Sequence, residues 1–229
     1  MTAPQTPAFD RTWLIVPLYN EASVIGDVVR AARETFPNIV CVDDGSSDES
    51  AANAAAAGAV VVQHPTNLGQ GAAIQTGLSF ALGEPNAEYF ATFDADGQHR
   101  TADVVAMLEH LIADDLDIII GSRFLDGRTK PGFLKKMVLK LAVRFERMST
   151  GIHVTDAHNG LRVMNRHAAS AIRIRQNRMA HASEIISEIA RAELKYAEHP
   201  VHIVYTDYSR SKGQSIWNSV NILNDLLIK

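Results

Sequence analysis

The chain has 229 residues, 46% of them apolar and 21% charged, with a formal net charge of −4. This length and composition suit one large globular domain, and the acidic balance gives no reason to expect nucleic acid as a partner. Cys41 is the single cysteine, which excludes an intramolecular disulfide and fits a reducing compartment, and no apolar run reaches the roughly 18–20 residues of a membrane-spanning helix.

Residues 1–11 are rich in Pro, Thr and Ala. They lack the positive start and apolar core of a signal peptide and read as a flexible tail. Trp13 to Val16 is a buried strand expected to stop at Pro17. Val24, Ile25, Val28, Val29 and Ala32 then recur at helical spacing through residues 21–35. Ile39 to Val42 is a second strand, with Cys41 a small buried side chain in it. Ser47-Asp48-Glu49 opens a helix through the alanine-rich residues 50–57. Ala59 to Val62 is the third strand, 70–82 a helix, Tyr89 to Phe93 the fourth strand, 101–113 a helix and Asp117 to Ile120 the fifth strand. Beyond this the pattern predicts helices at 132–148, 166–174, 181–192 and 214–228, a short strand at 160–164 and an extended segment at 194–205. Strands alternating with helices imply right-handed crossovers and a largely parallel sheet. No linker-like break interrupts residues 12–229, so they are expected to form one α/β domain.

A polar cluster follows each of the first five strands. These are Pro17-Leu18-Tyr19-Asn20-Glu21, Asp43-Asp44-Gly45-Ser46-Ser47-Asp48, Asn67-Leu68-Gly69-Gln70-Gly71, Asp94-Ala95-Asp96 and Gly121-Ser122-Arg123. In a parallel sheet those ends share one edge, so five in succession describe a single long site. Phe93-Asp94-Ala95-Asp96-Gly97-Gln98 is the most informative of them. Its two carboxylates repel each other unless a cation lies between. A hard ion such as Mg²⁺ takes one or two carboxylates and completes its shell with phosphate oxygens and water. A turn of Asp and Gly after a strand is the plainer reading of the hexapeptide alone. Asp43 or Asp44 can accept from a base imide or a ribose hydroxyl, and Tyr19 can stack on a base. The glycines of the Asn67–Gly71 segment let backbone approach a ligand, at the start of a helix that attracts anions. Arg123, Arg210 and Lys212 can neutralise a diphosphate leaving group.

In order and spacing over residues 12–124, these motifs resemble family 2 glycosyltransferases of the GT-A fold, a Rossmann-like domain with a mostly parallel sheet. Within that family the chain is most similar to the dolichyl-phosphate mannose synthase-like branch, which loads a sugar onto a polyprenyl phosphate. Asp156-Ala157-His158-Asn159-Gly160-Leu161-Arg162 and Arg210-Ser211-Lys212-Gly213-Gln214-Ser215 extend the match. The resemblance implies an inverting transferase using a nucleotide diphosphate sugar, with uridine favoured over guanosine. It places Pro17, Tyr19, Glu21, Asp43 or Asp44, Asn67, Gly69 and Gln70 around the nucleotide. It gives Mg²⁺ or Mn²⁺ to Asp94, Asp96 and Gln98, and phosphates to Arg123, Arg210 and Lys212. A phosphate monoester, with a second pKa near ~6, attacks without a general base, so Asp96 and Arg123 would carry catalysis through the metal and the phosphates. Asp156 is the base candidate if the acceptor is a saccharide hydroxyl.

Lys130 to Met148 carries six basic residues and one acidic residue. Lys136, Lys140 and Arg144 follow one helical face and Leu134, Met137, Val138 and Leu141 another. Such a helix suits an anionic membrane surface, with Lys135, Lys136, Lys140 and Arg144 as lipid contacts; packing on its own core is the alternative. Relatives in this branch often carry C-terminal membrane helices, and this chain ends at Lys229 without one. The expectation is peripheral attachment on the cytoplasmic face, helped by a small membrane-anchoring protein or by self-association. His181 and Glu184, three apart on a predicted helix, read as a helix start rather than a shared ligand site. The competing functional readings are a transferase acting on a saccharide hydroxyl, an aspartate-nucleophile phosphatase and a non-catalytic nucleotide-binding subunit of a membrane complex. Against the phosphatase, Gln98 stands where Thr or Ser is expected.

Overall fold

Strand β1 (Thr12–Leu18) is buried on both faces, as its unbroken apolar run requires. Trp13 and Ile15 enter one core, packed with Ile74, Leu78 and Ile185. Leu14, Val16 and Leu18 enter the other, packed with Ile25, Val29, Met107 and Leu108. Each fully buried Leu or Ile contributes about 1.5–3 kcal/mol relative to exposure.

The computed structural model describes residues 8–125, 151–178 and 180–204. The other strands are β2 (Asn38–Asp43), β3 (Val60–Gln63), β4 (Tyr89–Thr92), β5 (Ile118–Ser122), β6 (Arg162–Asn165) and β7 (Tyr196–Pro200). The helices are α1 (Ile25–Arg33), α2 (Ser50–Ala56), α3 (Gln70–Leu82), α4 (Thr101–Ala113), α5 (Arg166–Ala171) and α6 (His181–Arg191). The strands make one sheet in the order β3-β2-β1-β4-β6-β5-β7. All pairings are parallel except those of β6, which lies antiparallel between β4 and β5. The expected α/β architecture is therefore present, with one reversed strand inside it.

Three differences from the sequence reading have local causes. Strand β1 continues through Pro17 and Leu18, with Pro17 opposite Val42. The Ile15 carbonyl accepts from Phe93 on the β4 side, so Pro17, two residues on, faces past the end of β4 and its missing N–H costs no ladder bond. Helix α1 begins at Ile25 rather than at residue 21, because residues 21–24 form a turn tied to the following loop. Residues 8–11 are not loose: they form a 3₁₀ turn in which Phe9 packs edge-on against Phe36 and the Ala8 carbonyl accepts from the Thr12 hydroxyl at 2.7 Å. The helices expected at 132–148 and 214–228 lie outside the described residues, as do Lys135, Lys136, Lys140, Arg144, Arg210 and Lys212. Among the described residues no helix is long and apolar enough to cross a membrane.

Candidate active site

From β1 the chain builds outward to β2 and β3 on one side and returns to β4 on the other. The crevice at such a reversal, outside the carboxyl ends of the strands, is where open α/β sheets bind ligands. The clusters after β1, β2, β3, β4 and β5 all open there. Because β6 runs backwards, it brings its preceding segment, Asp156 to Leu161, to the same edge.

The first two clusters lock together. Asn20 takes a left-handed conformation, φ 53°, which Asn tolerates better than most residues. Its amide donates to Ser46 Oγ at 2.9 Å, and its side-chain oxygen accepts from the Ser47 amide at 2.9 Å. The Glu21 amide donates to Ser50 Oγ at 2.7 Å, and the Ala22 amide to Asp48 at 3.2 Å. Tyr19 stands out at 47% exposure with its ring available for stacking.

The paired aspartates after β2 have different surroundings. Asp43 is buried, with Oδ1 accepting from the Ser46 amide and hydroxyl and Oδ2 only a long 3.4 Å contact from Gln63. Asp44 turns inward. It accepts from the Leu68 amide at 2.9 Å and the Gly69 amide at 2.7 Å, and its Oδ1 lies 2.7 Å from His64 Nδ1. Within the glycine segment the amides of Leu68 and Gly69 are therefore taken by Asp44, ahead of the first residue of α3, Gln70. Gly69 holds φ +106°, which only glycine adopts without strain.

The carboxylates after β4 are brought together as expected. Asp94 accepts from Gln70 Nε2 at 3.3 Å and lies 2.8 Å from His99 Nε2. Burial raises its pKa, but the nearby His99 imidazole, with Arg162 and His181, outweighs that and leaves the carboxyl below the usual range. Asp96 goes the other way. Burial and the charge of Asp94 push it up, although the Gln98 amide donates to it at 3.0 Å. Like-charge repulsion of this kind marks a pair that a cation would relieve. Among the described residues no group of three or more His, Cys, Asp or Glu side chains is arranged to hold a metal. A Mg²⁺ that takes one or two carboxylates and draws its other ligands from phosphate and water does not need one, so the donor set fits such an ion.

Across the cleft, Arg123 makes a two-pronged pair with Asp156, Nε to Oδ2 at 2.7 Å and Nη2 to Oδ1 at 2.8 Å. The Asp156 side chain is fully buried, and the Arg123 amide also donates to it. The loop around it is held by Glu198, which accepts from the amides of Thr155 and Asp156 at 2.7 and 3.1 Å. Both Asp156 oxygens thus accept from Arg123, and the pair fixes the guanidinium beside the end of β5.

Several residues outside the expected set also build the site. A Cβ on Gly160 would come 2.4 Å from Asp94 Oδ2, so this glycine is the floor on which Asp94 rests. Arg162 is buried in β6, and its charge acts on Asp94, His158 and His181. His181 starts α6 and donates from Nδ1 to the Arg178 carbonyl at 2.7 Å, and burial, with Arg162, lowers its pKa to about 4. Its neighbour in the sequence reading, Glu184, instead accepts from the amides of Arg175 and Gln176. Gly160 and Arg162 stand inside a recognised motif, but only the reversed strand shows that they underlie Asp94.

These features are those of a nucleotide-sugar transferase fold, and the chain belongs to glycosyl transferase family 2, whose family model matches residues 13–173. It is 34% identical over 225 residues to an uncharacterized protein of Methanocaldococcus jannaschii, covering 96% of this chain and 92% of that protein. It is 31% identical to the UDP-N-acetylglucosamine–dolichyl-phosphate N-acetylglucosaminyltransferase of Methanococcus voltae, covering 94% of each. Among solved structures it superposes on glucosyl-3-phosphoglycerate synthase from Mycobacterium tuberculosis, crystallised with Mn²⁺, UDP-glucose and phosphoglyceric acid. The TM-score there is 0.73 at 17% identity, over 96% of this chain and 79% of that one.

Proposed function

We propose that this protein is an inverting transferase that moves a sugar from a nucleotide diphosphate sugar to a polyprenyl phosphate at a membrane surface. The observation that carries the reading is full-length similarity to the dolichyl-phosphate transferase, joined to a repelling carboxylate pair at the sheet's reversal point. Tyr19 and Asp43 would hold the base, with Pro17, Glu21 and Asn67 around the nucleoside and Asp44, Gly69 and Gln70 shaping its floor. Asp94, Asp96 and Gln98 would hold Mg²⁺ or Mn²⁺, which when bound supplies positive charge to the departing diphosphate. Arg123, aimed by Asp156, would meet a phosphate, and Arg210 and Lys212 would add to it. Uridine is favoured for the donor.

Asp156 also weighs between acceptors. A hydroxyl acceptor needs a carboxylate free to take its proton, and Asp156 is committed to Arg123. A phosphate acceptor arrives ionised and needs none. The basic run with Lys135, Lys136, Lys140 and Arg144 would rest on anionic lipid, placing the enzyme peripherally on the cytoplasmic face, with a small anchoring protein or a second copy as further partners. The test is a radiolabelled panel of UDP- and GDP-sugars with dolichyl or undecaprenyl phosphate and Mn²⁺. Label should enter the organic phase and stay in water when EDTA replaces the metal. Label appearing only on water-soluble saccharide would overturn the lipid acceptor, and lipid product formed equally in EDTA would overturn the metal.

A further inference from the structure

The Asp44 network joins the end of β2 to the carboxylate pair, and at its outer end stands a histidine that no part of the proposed reaction uses. His64 follows β3. Its amide donates to the Asp43 carbonyl at 2.8 Å, its Nδ1 lies 2.7 Å from Asp44 Oδ1, and its Nε2 lies 2.9 Å from the Thr76 hydroxyl on α3. With an ionised carboxylate on one side, Nδ1 carries the proton and donates. Nε2 meets the Thr76 hydroxyl, so both ring nitrogens are engaged and the ring is held in one orientation. The side chains of His64 and Asp44 are 8% and 4% exposed, so water offers no substitute partner.

Asp44 in turn holds the amides of Leu68 and Gly69. Gly69 precedes the first residue of α3, Gln70, whose side chain reaches Asp94 Oδ1. On its far side the turn is wedged against Asn177. The Gly71 amide donates to the Asn177 carbonyl at 2.9 Å, and a Cβ on Gly69 would stand 2.2 Å from the same oxygen. The turn therefore has a fixed wall behind it, and Asp44 is its anchor in front.

We propose, resting on the metal-dependent reading above, that His64 is a positioning residue for the metal-holding carboxylate. It orients Asp44, Asp44 holds the Gly69 turn, and the turn sets Gln70 against Asp94. Partners that orient metal ligands are worth roughly 10–100-fold in metal affinity. His64 acts through three intermediaries, Asp44, the Gly69 turn and Gln70, so the low end, about 10-fold, is expected.

The test is Mn²⁺ titration by electron paramagnetic resonance at saturating UDP, with calorimetric UDP binding in EDTA. The proteins are wild type, His64→Ala, His64→Asn and Thr76→Val. Asparagine keeps an N–H where Nδ1 stands. His64→Ala should weaken Mn²⁺ about 10-fold and metal-free UDP, whose floor the same turn shapes, by no more than about threefold, and His64→Asn should recover most of both losses. Thr76→Val, which leaves Asp44 its donor, should lose about two- to threefold and keeps the test open if alanine at 64 fails to fold. Unchanged Mn²⁺ affinity in the alanine and valine variants, equal loss of metal-free UDP binding, or no rescue by asparagine would each overturn the proposal. Wild-type protein that binds UDP equally with and without Mn²⁺ is a different result, and it overturns the parent reading.

Discussion

Replacing Gly160 with alanine tests the floor beneath Asp94. The backbone at Gly160 is not in the left-handed region, so alanine costs little conformationally. The added Cβ, however, would lie 2.4 Å from Asp94 Oδ2, 2.7 Å from Oδ1 and 2.9 Å from Cγ, where real Cβ contacts stay above 3.0 Å. The carboxylate must retreat by at least about 0.6 Å, and by about 1 Å to reach the ordinary contact distance of 3.4 Å. That movement strains its 2.8 Å contact with His99 and its 3.3 Å contact with Gln70. A misplacement of about 1 Å at a reacting centre costs on the order of 10²-fold in rate, which is about 2.7 kcal/mol of transition-state stabilisation. The assay is the initial rate of lipid-linked sugar formation at saturating Mn²⁺, beside thermal melting followed by circular dichroism. Gly160→Ala should lose about 100-fold in rate and melt within a few degrees of wild type. A rate within about threefold of wild type would refute the claim that Gly160 sets the position of Asp94.

Three further outcomes follow from buried charge. Asp156→Ala leaves Arg123 without its buried partner and should cost about 3–5 kcal/mol, a fall of roughly 6–20 °C in melting temperature for a domain of this size; a fall under about 2 °C would contradict a holding role. His181 has its pKa lowered from 6.5 to about 4, so the unfolded chain binds more protons between those values and stability must drop as pH falls through that window. The full effect is on the order of 3 kcal/mol, complete below pH 4 and absent above 6.5. His181→Gln should flatten the urea-unfolding free energy across this window relative to wild type, and parallel curves would count against the buried neutral imidazole. Burial pushes the Cys41 thiol to about 12, so Ellman's reagent should label it only after denaturant is added, with fast labelling of native protein as the contrary result.

Local pattern determined the elements. The helices at 70–82 and 101–113 are read from spacing alone and agree with α3 and α4 to the residue, because apolar period and flanking glycine or turn residues are written in consecutive positions. The polar clusters after five strands identified one edge of the sheet, since parallel strands must end together. What periodicity cannot express is strand order and direction, which depend on contacts far apart in sequence. The reversal of β6 between β4 and β5 is such a decision, and it puts Gly160 under Asp94 and Asp156 across from Arg123. Contacts distant in sequence likewise separate two adjacent aspartates, Asp43 and Asp44, that read alike in the sequence. Successive side chains leave the end of a strand in opposite directions, so Asp43 accepts from Ser46 while Asp44 closes on His64 and the Gly69 turn.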